Sequence, residues 1–91
     1  MPVFLRYGRY KVYFWANESG EPIHFHIASG DPSKDDTKVW VLRDGGMMVA
    51  HNKGHIPKKD LLRVIVAMRG YLDDYDSLWR EYEGDVRHID D

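Results

Sequence analysis

Residues 20–27, GEPIHFHI, hold the chain's most suggestive chemistry. His24 and His26 sit two apart behind an acidic turn and a proline. On a strand that spacing puts both imidazoles on one face, about 6.5–7 Å apart. Imidazole ligates metals, and near neutral pH it also gives and takes protons.

Metal ligation is one use. A catalytic zinc site needs three protein ligands and a structural one needs four. His51 is the third candidate beside His24 and His26, and His55 follows it closely. Glu18, Glu21 or Asp31 can add a carboxylate, and imidazole with carboxylate suits zinc or iron(II).

The other use is metal-free. Two histidines can serve as general base and general acid in RNA cleavage, where a 2′-hydroxyl attacks its own phosphate. Such a reaction requires no cofactor. It calls for cations at the phosphate, and Arg6, Arg9, Lys11, Lys53, Lys58 and Lys59 are the candidates. The segment RYGRYKVYFW adds rings that could stack on bases. Structural roles fit the same residues: His24 and His26 stacked on Trp or Tyr or bonded to Glu21, the aromatics filling a core, and Lys11 on a solvated face.

The elements that must position these residues follow from hydrophobic period. YGRYKVYFW alternates, with Tyr10, Val12 and Phe14 on one side and Lys11, Tyr13 and Trp15 on the other. ANESGEP is turn chemistry. IHFHIA alternates again, with Ile23, Phe25 and Ile27 opposite the histidines. TKVWVL is a further strand. RDGG reads as a hairpin turn because Asp-Gly tolerates positive φ, and MMVAH is the returning strand.

From Pro57, well suited to a first helical turn, the period becomes helical. Leu61, Ile65, Met68, Leu72, Tyr75, Trp79 and Tyr82 form a stripe. One helix to Tyr82 would run about 40 Å, so a break is expected near residues 70–73, at Gly70. Asp73 and Asp74 suit the first turn of a second helix. Strands first and helices after predict an α+β domain. The expected form is a small antiparallel sheet of three to four strands. One long kinked helix or two C-terminal helices pack on one face. The domain is expected over residues 1–84, with 85–91 a flexible acidic tail.

Composition narrows the classes. The 91 residues suffice for one core. Cysteine is absent, which excludes disulfides, thiolate nucleophiles and cysteine-based zinc sites. No apolar run approaches a membrane span, and MPVFLRYGRY is too polar for a signal peptide. The expected setting is cytoplasmic. No phosphate-binding glycine loop or nucleophile elbow is present. Charge is segregated. Residues 53–69 carry five basic side chains against Asp60 alone, and residues 70–91 carry eight acids against Arg80 and Arg87. Such patches suit two partners, or each other.

Taken together, an initial MP, an aromatic strand ending YFW, GEPIHFHI, a hairpin, IPKKDLLRVI and a late LW resemble a family of small bacterial domains. It is number 4160 in the series of domains of unknown function. The family's Pro-Pro-His-Phe-His-Val-like strand corresponds to Pro22–Ile27, with Ile23 in place of the second proline. Ile56, Pro57, Leu61 and Leu62 correspond to its helix start, and Trp79 to its late Trp. The resemblance spans about residues 1–83. It implies a two-gene arrangement like that of toxin–antitoxin modules, with this chain the toxin-like partner of a small antitoxin-like protein. HNKGHIPKKDLLRVI is also similar to small RNA-cleaving toxins with a double-stranded-RNA-binding-like fold, though without their leading helix. That similarity implies His24 or His26 as general base and phosphate contacts from Lys58 and Lys59. The sequence therefore predicts a toxin-like domain that binds or cleaves RNA. The alternatives are a protein-interaction module and a metal-binding domain.

Overall fold

The computed structural model of the chain describes residues 1–16 and 20–91. Five strands come first: β1 (Val3–Tyr7), β2 (Tyr10–Tyr13), β3 (His24–Ser29), β4 (Thr37–Val41) and β5 (Met47–His51). Two helices follow, α1 (Lys58–Arg69) and α2 (Leu72–Glu83). The strands form one antiparallel sheet in sequence order, β1-β2-β3-β4-β5. The architecture is the expected α+β class, with five strands in place of three or four. The additional strand is β1. Alternation runs unbroken through YGRYKVYFW and conceals a two-residue turn. Gly8 takes φ +58°, the first central position of a type II′ turn, and folds β1 back on β2.

The helices cover one face of the sheet. Tyr10, Val12, Phe14, Phe25, Ile27, Val39 and Val41 supply the sheet side of the core, and Leu61, Val64, Met68, Tyr75 and Trp79 the helix side. The stripe read from the sequence holds at Leu61, Met68, Tyr75 and Trp79. It shifts by one residue in α1, where Val64 is fully buried and Ile65 only half-buried. Tyr82 is half exposed, although its ring still meets Phe14 edge-on.

The helical region breaks where expected, but not because glycine is flexible there. Gly70 has ordinary right-handed helical angles (φ −72°, ψ −14°). Its N–H bonds Ala67 O at 3.2 Å, and Tyr71 N–H bonds Met68 O at 3.0 Å. The last turn of α1 is thereby tightened, and Tyr71 (φ −120°) leaves the helix. Asp73 and Asp74 then occupy the first turn of α2, where the helix dipole favours acids. At the far end Gly84 takes φ +82° and caps α2, its N–H bonding Arg80 O at 2.8 Å.

Residues 85–91, expected as a flexible tail, return to the sheet. Ile23 N–H donates to Arg87 O at 2.7 Å, and Trp79 Nε1–H donates to Asp85 O at 3.0 Å. Arg87 donates to Gly20 O. Arg43 N–H bonds Asp90 Oδ1 at 3.1 Å, and its guanidinium lies 3.2 Å from Asp91. The acidic end of the chain thus lies against the start of β3 and the β4–β5 turn.

Candidate functional site

Cross-strand partners share a face, so the register defines what stands on the side of the sheet away from the helices, where Tyr13, His24 and Ala28 are nonetheless fully buried. His24 stands opposite Trp40, His26 opposite Lys38, and Lys38 in turn opposite His51. On the other flank Tyr13 stands opposite His26, Lys11 opposite Ala28, and Arg6 opposite Lys11. One row across four strands therefore reads Tyr13, His26, Lys38, His51. The row beside it contains His24, Trp40 and Met48.

The two histidines of GEPIHFHI share this face but differ in access. His24 is fully buried. Its ring meets His26 at 5.1 Å, Trp40 at 5.4 Å and Trp79 at 5.2 Å between centroids, and Nδ1 lies 2.8 Å from Pro22 O. Trp79 touches both His24 and Phe14 because it sits where the strands end, and the Trp79–Asp85 bond holds it there. Tyr75 OH donates to His24 O, which fixes the first residue of β3 from the helix side. His24 is consequently packed as a wedge at the sheet end, with no surface for a substrate. His26 is partly exposed, and its ring lies 5.3 Å from that of Tyr13.

Tyr13 is itself tied down. Its hydroxyl donates to Asp36, which also accepts from Ser33 N–H at 2.8 Å, and its ring meets Trp15 edge-on at 5.3 Å. Lys38 Nζ lies 3.1 Å from Glu21 Oε1 and 4.2 Å from the centre of the Trp40 ring, a cation–π contact. The sequence reading missed Lys38 and Trp40. The alternation in TKVWVL that assigns Val39 and Val41 inward assigns these two outward, so half of the signal was present. The other half, the pairing with His26 and His24, is a matter of register that the sequence does not print.

His51 closes the row at the end of β5. Burial, then the positive charges of Lys53 and Lys38, then His26, hold its pKa below the ordinary histidine value; Asp35 opposes them. Lys53 N–H points at His51 Nδ1 from 3.4 Å, a weak contact that suits a neutral ring. The position of His51 depends on the next residue. Asn52 Oδ1 accepts from Thr37 Oγ1–H at 2.5 Å and from Ile56 N–H at 3.0 Å, while its Nδ2 donates to Ile56 O at 2.9 Å. This clamp joins β4, the end of β5 and the entry to α1. The backbone is crowded here: a Cβ on Gly54 would come within 2.9 Å of Thr37 Oγ1, and His55 adopts φ +54°.

The remaining basic candidates separate. Arg6 and Lys11 lie on the open face, and Lys53 is exposed just beyond His51. Arg9 turns to the helix side, 3.6 Å from Asp60, whose carboxylate accepts a 2.6 Å bond from Tyr10 OH. Lys58 and Lys59 open α1, after Pro57 rather than with it in the helix, on the layer opposite the open face. Among the described residues no group of three His, Asp or Glu side chains is placed to hold a metal ion, so His24, His26 and His51 are not gathered as a ligand set. Glu18 lies outside the described residues, Glu21 is engaged by Lys38, and Asp31 is exposed in the β3–β4 loop. No helix among the described residues is long and apolar enough to cross a membrane.

Chemically, the open face offers cations at Arg6, Lys11 and Lys38, rings at Trp15 and Trp40, and imidazoles at His26 and His51. Two concavities, one at Arg69–Asp74 and one between the β4–β5 turn and α2, lie elsewhere. The face is a platform rather than a pocket.

No curated protein and no solved structure matches the chain. One family model does, that of the domain of unknown function (DUF4160), over residues 10–80. The matched span runs from β2 into α2 and contains His24, His26, Lys38, Trp40, His51 and Asn52, leaving out β1 and the returning terminus. The chain belongs to the DUF4160 family of domains of unknown function.

Proposed function

We propose that this protein is the toxin-like component of a bacterial toxin–antitoxin pair and that it acts by binding RNA across the open face of its sheet. One observation carries the reading: the face not covered by helices is lined by cations and aromatic rings. Flat sheets bind single strands in this way, with rings taking bases and cations tracking phosphates. Trp15 and Trp40 are the stacking candidates. Arg6, Lys11 and Lys38 are the phosphate contacts.

The test is fluorescence anisotropy with a labelled single-stranded RNA of about a dozen nucleotides, a length within the usual range for one such surface. Binding should weaken with salt, and Lys11→Glu with Trp15→Ala should weaken it by about tenfold or more, since a stacked base alone is worth ~1–3 kcal/mol. Expression under tight induction should arrest growth of a bacterial host, and the double variant at matched soluble level should not. Absence of RNA binding at low salt would end this reading.

A second observation favours the interaction-module reading. Leu62 (53% exposed) and Val66 (68%) stand one turn apart on the outer side of α1, among Lys58, Lys59, Arg63 and Arg69. An apolar pair with a basic rim fits an acidic amphipathic segment of a partner protein, the role an antitoxin-like protein would fill. Leu62→Glu with Val66→Glu should abolish such binding and leave RNA binding intact.

A further inference from the structure

We propose that His26 and His51, with Lys38 between them, form a metal-independent RNA-cleaving site. The proposal rests on the RNA reading of the same face and adds a reaction to it. The register is its foundation. His26 pairs with Lys38, and Lys38 pairs with His51 across a register shift in β5; regular pairing would set His51 opposite Thr37, and the shift brings it instead into the row of Lys38 and His26. Two strand spacings separate the histidine backbones, about 9–10 Å. Two imidazoles reaching over that gap can flank a single phosphodiester, one at the 2′-hydroxyl and one at the 5′-oxygen.

Access selects this pair over His24 and His26. His24 has no exposed surface and is enclosed by His26, Trp40 and Trp79. His51 and His26 both keep part of their surface. Lys38 belongs to both the row and the stacking platform, because its ammonium sits on the Trp40 ring; a phosphate in the row would take the place of the Glu21 carboxylate now 3.1 Å from that ammonium. A base stacked near Trp40 would bring its phosphate towards that ammonium.

The step balances without a co-reactant. His51 removes the 2′-hydroxyl proton at Nδ1, where the hydroxyl takes the place of the weak 3.4 Å contact from Lys53 N–H, and the 2′-oxygen forms a bond to phosphorus. The bond from phosphorus to the 5′-oxygen breaks, and protonated His26 gives its proton to that oxygen. The products are a 2′,3′-cyclic phosphate and a free 5′-hydroxyl. The protein ends with the proton moved from His26 to His51, and exchange with water restores it. Lys38 faces the charge that builds on the phosphoryl oxygens. His51 takes the base role because its surroundings favour the neutral ring.

The experiment uses the full chain and a 5′-labelled single-stranded RNA, with the matched DNA as control. Cleavage and binding are measured in parallel, and the products are read by mass. The expected result is cleavage of RNA only, insensitive to a chelator, leaving cyclic-phosphate ends. His26→Gln and His51→Gln should each slow it by about 100-fold or more while binding stays within about threefold. Each variant is checked by its thermal melt; if His26→Gln fails to fold, His51→Gln, at the strand end, decides the matter. RNA bound but left intact by the wild type would overturn the cleavage proposal and spare the platform. Lack of binding would overturn both. Equal cleavage by wild type and folded variants from parallel preparations would assign the activity to a contaminant and overturn the site.

Discussion

Removing the Asn52 side chain tests how the connector is held and, through it, how His51 is placed. Asn52→Ala deletes three hydrogen bonds, to Thr37 Oγ1, Ile56 N and Ile56 O. Thr37 is fully buried, so water cannot readily replace the lost acceptor. At about 0.5–1.5 kcal/mol net for each bond, and with partial rehydration of the Ile56 groups, the expected loss is roughly 2–3 kcal/mol. A chain of this length has about 5–14 kcal/mol in total, so the variant should fold but melt roughly 10–20 °C lower. Urea unfolding followed by tryptophan fluorescence reads the change, and the midpoint should move while the slope stays constant. Thr37→Val removes only the first bond and should cost about 1 kcal/mol. In the double variant that loss should not add in full, because the two groups interact directly. A loss below about 1 kcal/mol for Asn52→Ala at unchanged slope would refute the clamp, since three polar groups on two buried residues cannot all lose their bonds so cheaply.

Other measurements bear on separate parts of the structure. Trp79→Ala removes the ring packed on Phe14, His24 and Tyr75 and should cost about 3–5 kcal/mol by urea unfolding, a large share of the total stability. In an NMR titration His51 should show a midpoint below the ordinary histidine value, and Lys53→Gln should raise it. The neutral ring is the form the fold prefers, so the unfolded chain binds the extra proton. Stability should therefore fall as pH drops through the ordinary value towards the folded one, and His51→Gln should flatten that part of the profile. The two helix-terminal glycines should respond oppositely in thermal melts. Gly70→Ala should stabilise by about 0.4–1 kcal/mol, since φ is already helical and the new Cβ makes ordinary contact with Ala67 O. Gly84→Ala should destabilise by about 1 kcal/mol, because the left-handed cap excludes a side chain.

The elements that announce themselves in the sequence are those whose side chains obey a single period. His24 to Ala28 and Thr37 to Val41 alternate without interruption, and their inward residues are the buried ones. The stripe from Leu61 to Trp79 likewise selects the helix faces that meet the sheet. The failures have local causes. The first strand read from the sequence begins at Tyr7 and runs across the Gly8 turn, while residues 3–6 are assigned to no element, so β1 goes unread. The break expected at Gly70 is present, although it comes from carbonyls at Ala67 and Met68 accepting early bonds. Residues 85–91 read in the sequence as a flexible acidic tail, without the contacts they make. Two of the contacts there use backbone groups of the tail, Asp85 O to Trp79 and Arg87 O to Ile23, which no side-chain pattern encodes.

The site divides along the same line between period and register. Period alone assigns His24 and His26 to one face, and the structure agrees. It treats them as equivalents, and here packing separates them. His24 lies one row nearer the strand end, where Trp79 and Trp40 close over it, while His26 lies one row in, where Lys38 and His51 extend the row outward. A histidine's neighbours along the chain are thus less informative than its neighbours across the sheet. His-X-His reads as a pair because the letters are close. The partly exposed pair, His26 and His51, is separated by 25 positions of sequence and two strand spacings in space. The feature that could have linked them is Asn52. An asparagine beside His51, followed by Lys-Gly, can bond backbone ahead of it and pin the strand end. His51 joins the row of His26 through the register shift after Val49, and the Asn52 bonds to Thr37 and Ile56 tie down the residue that follows it.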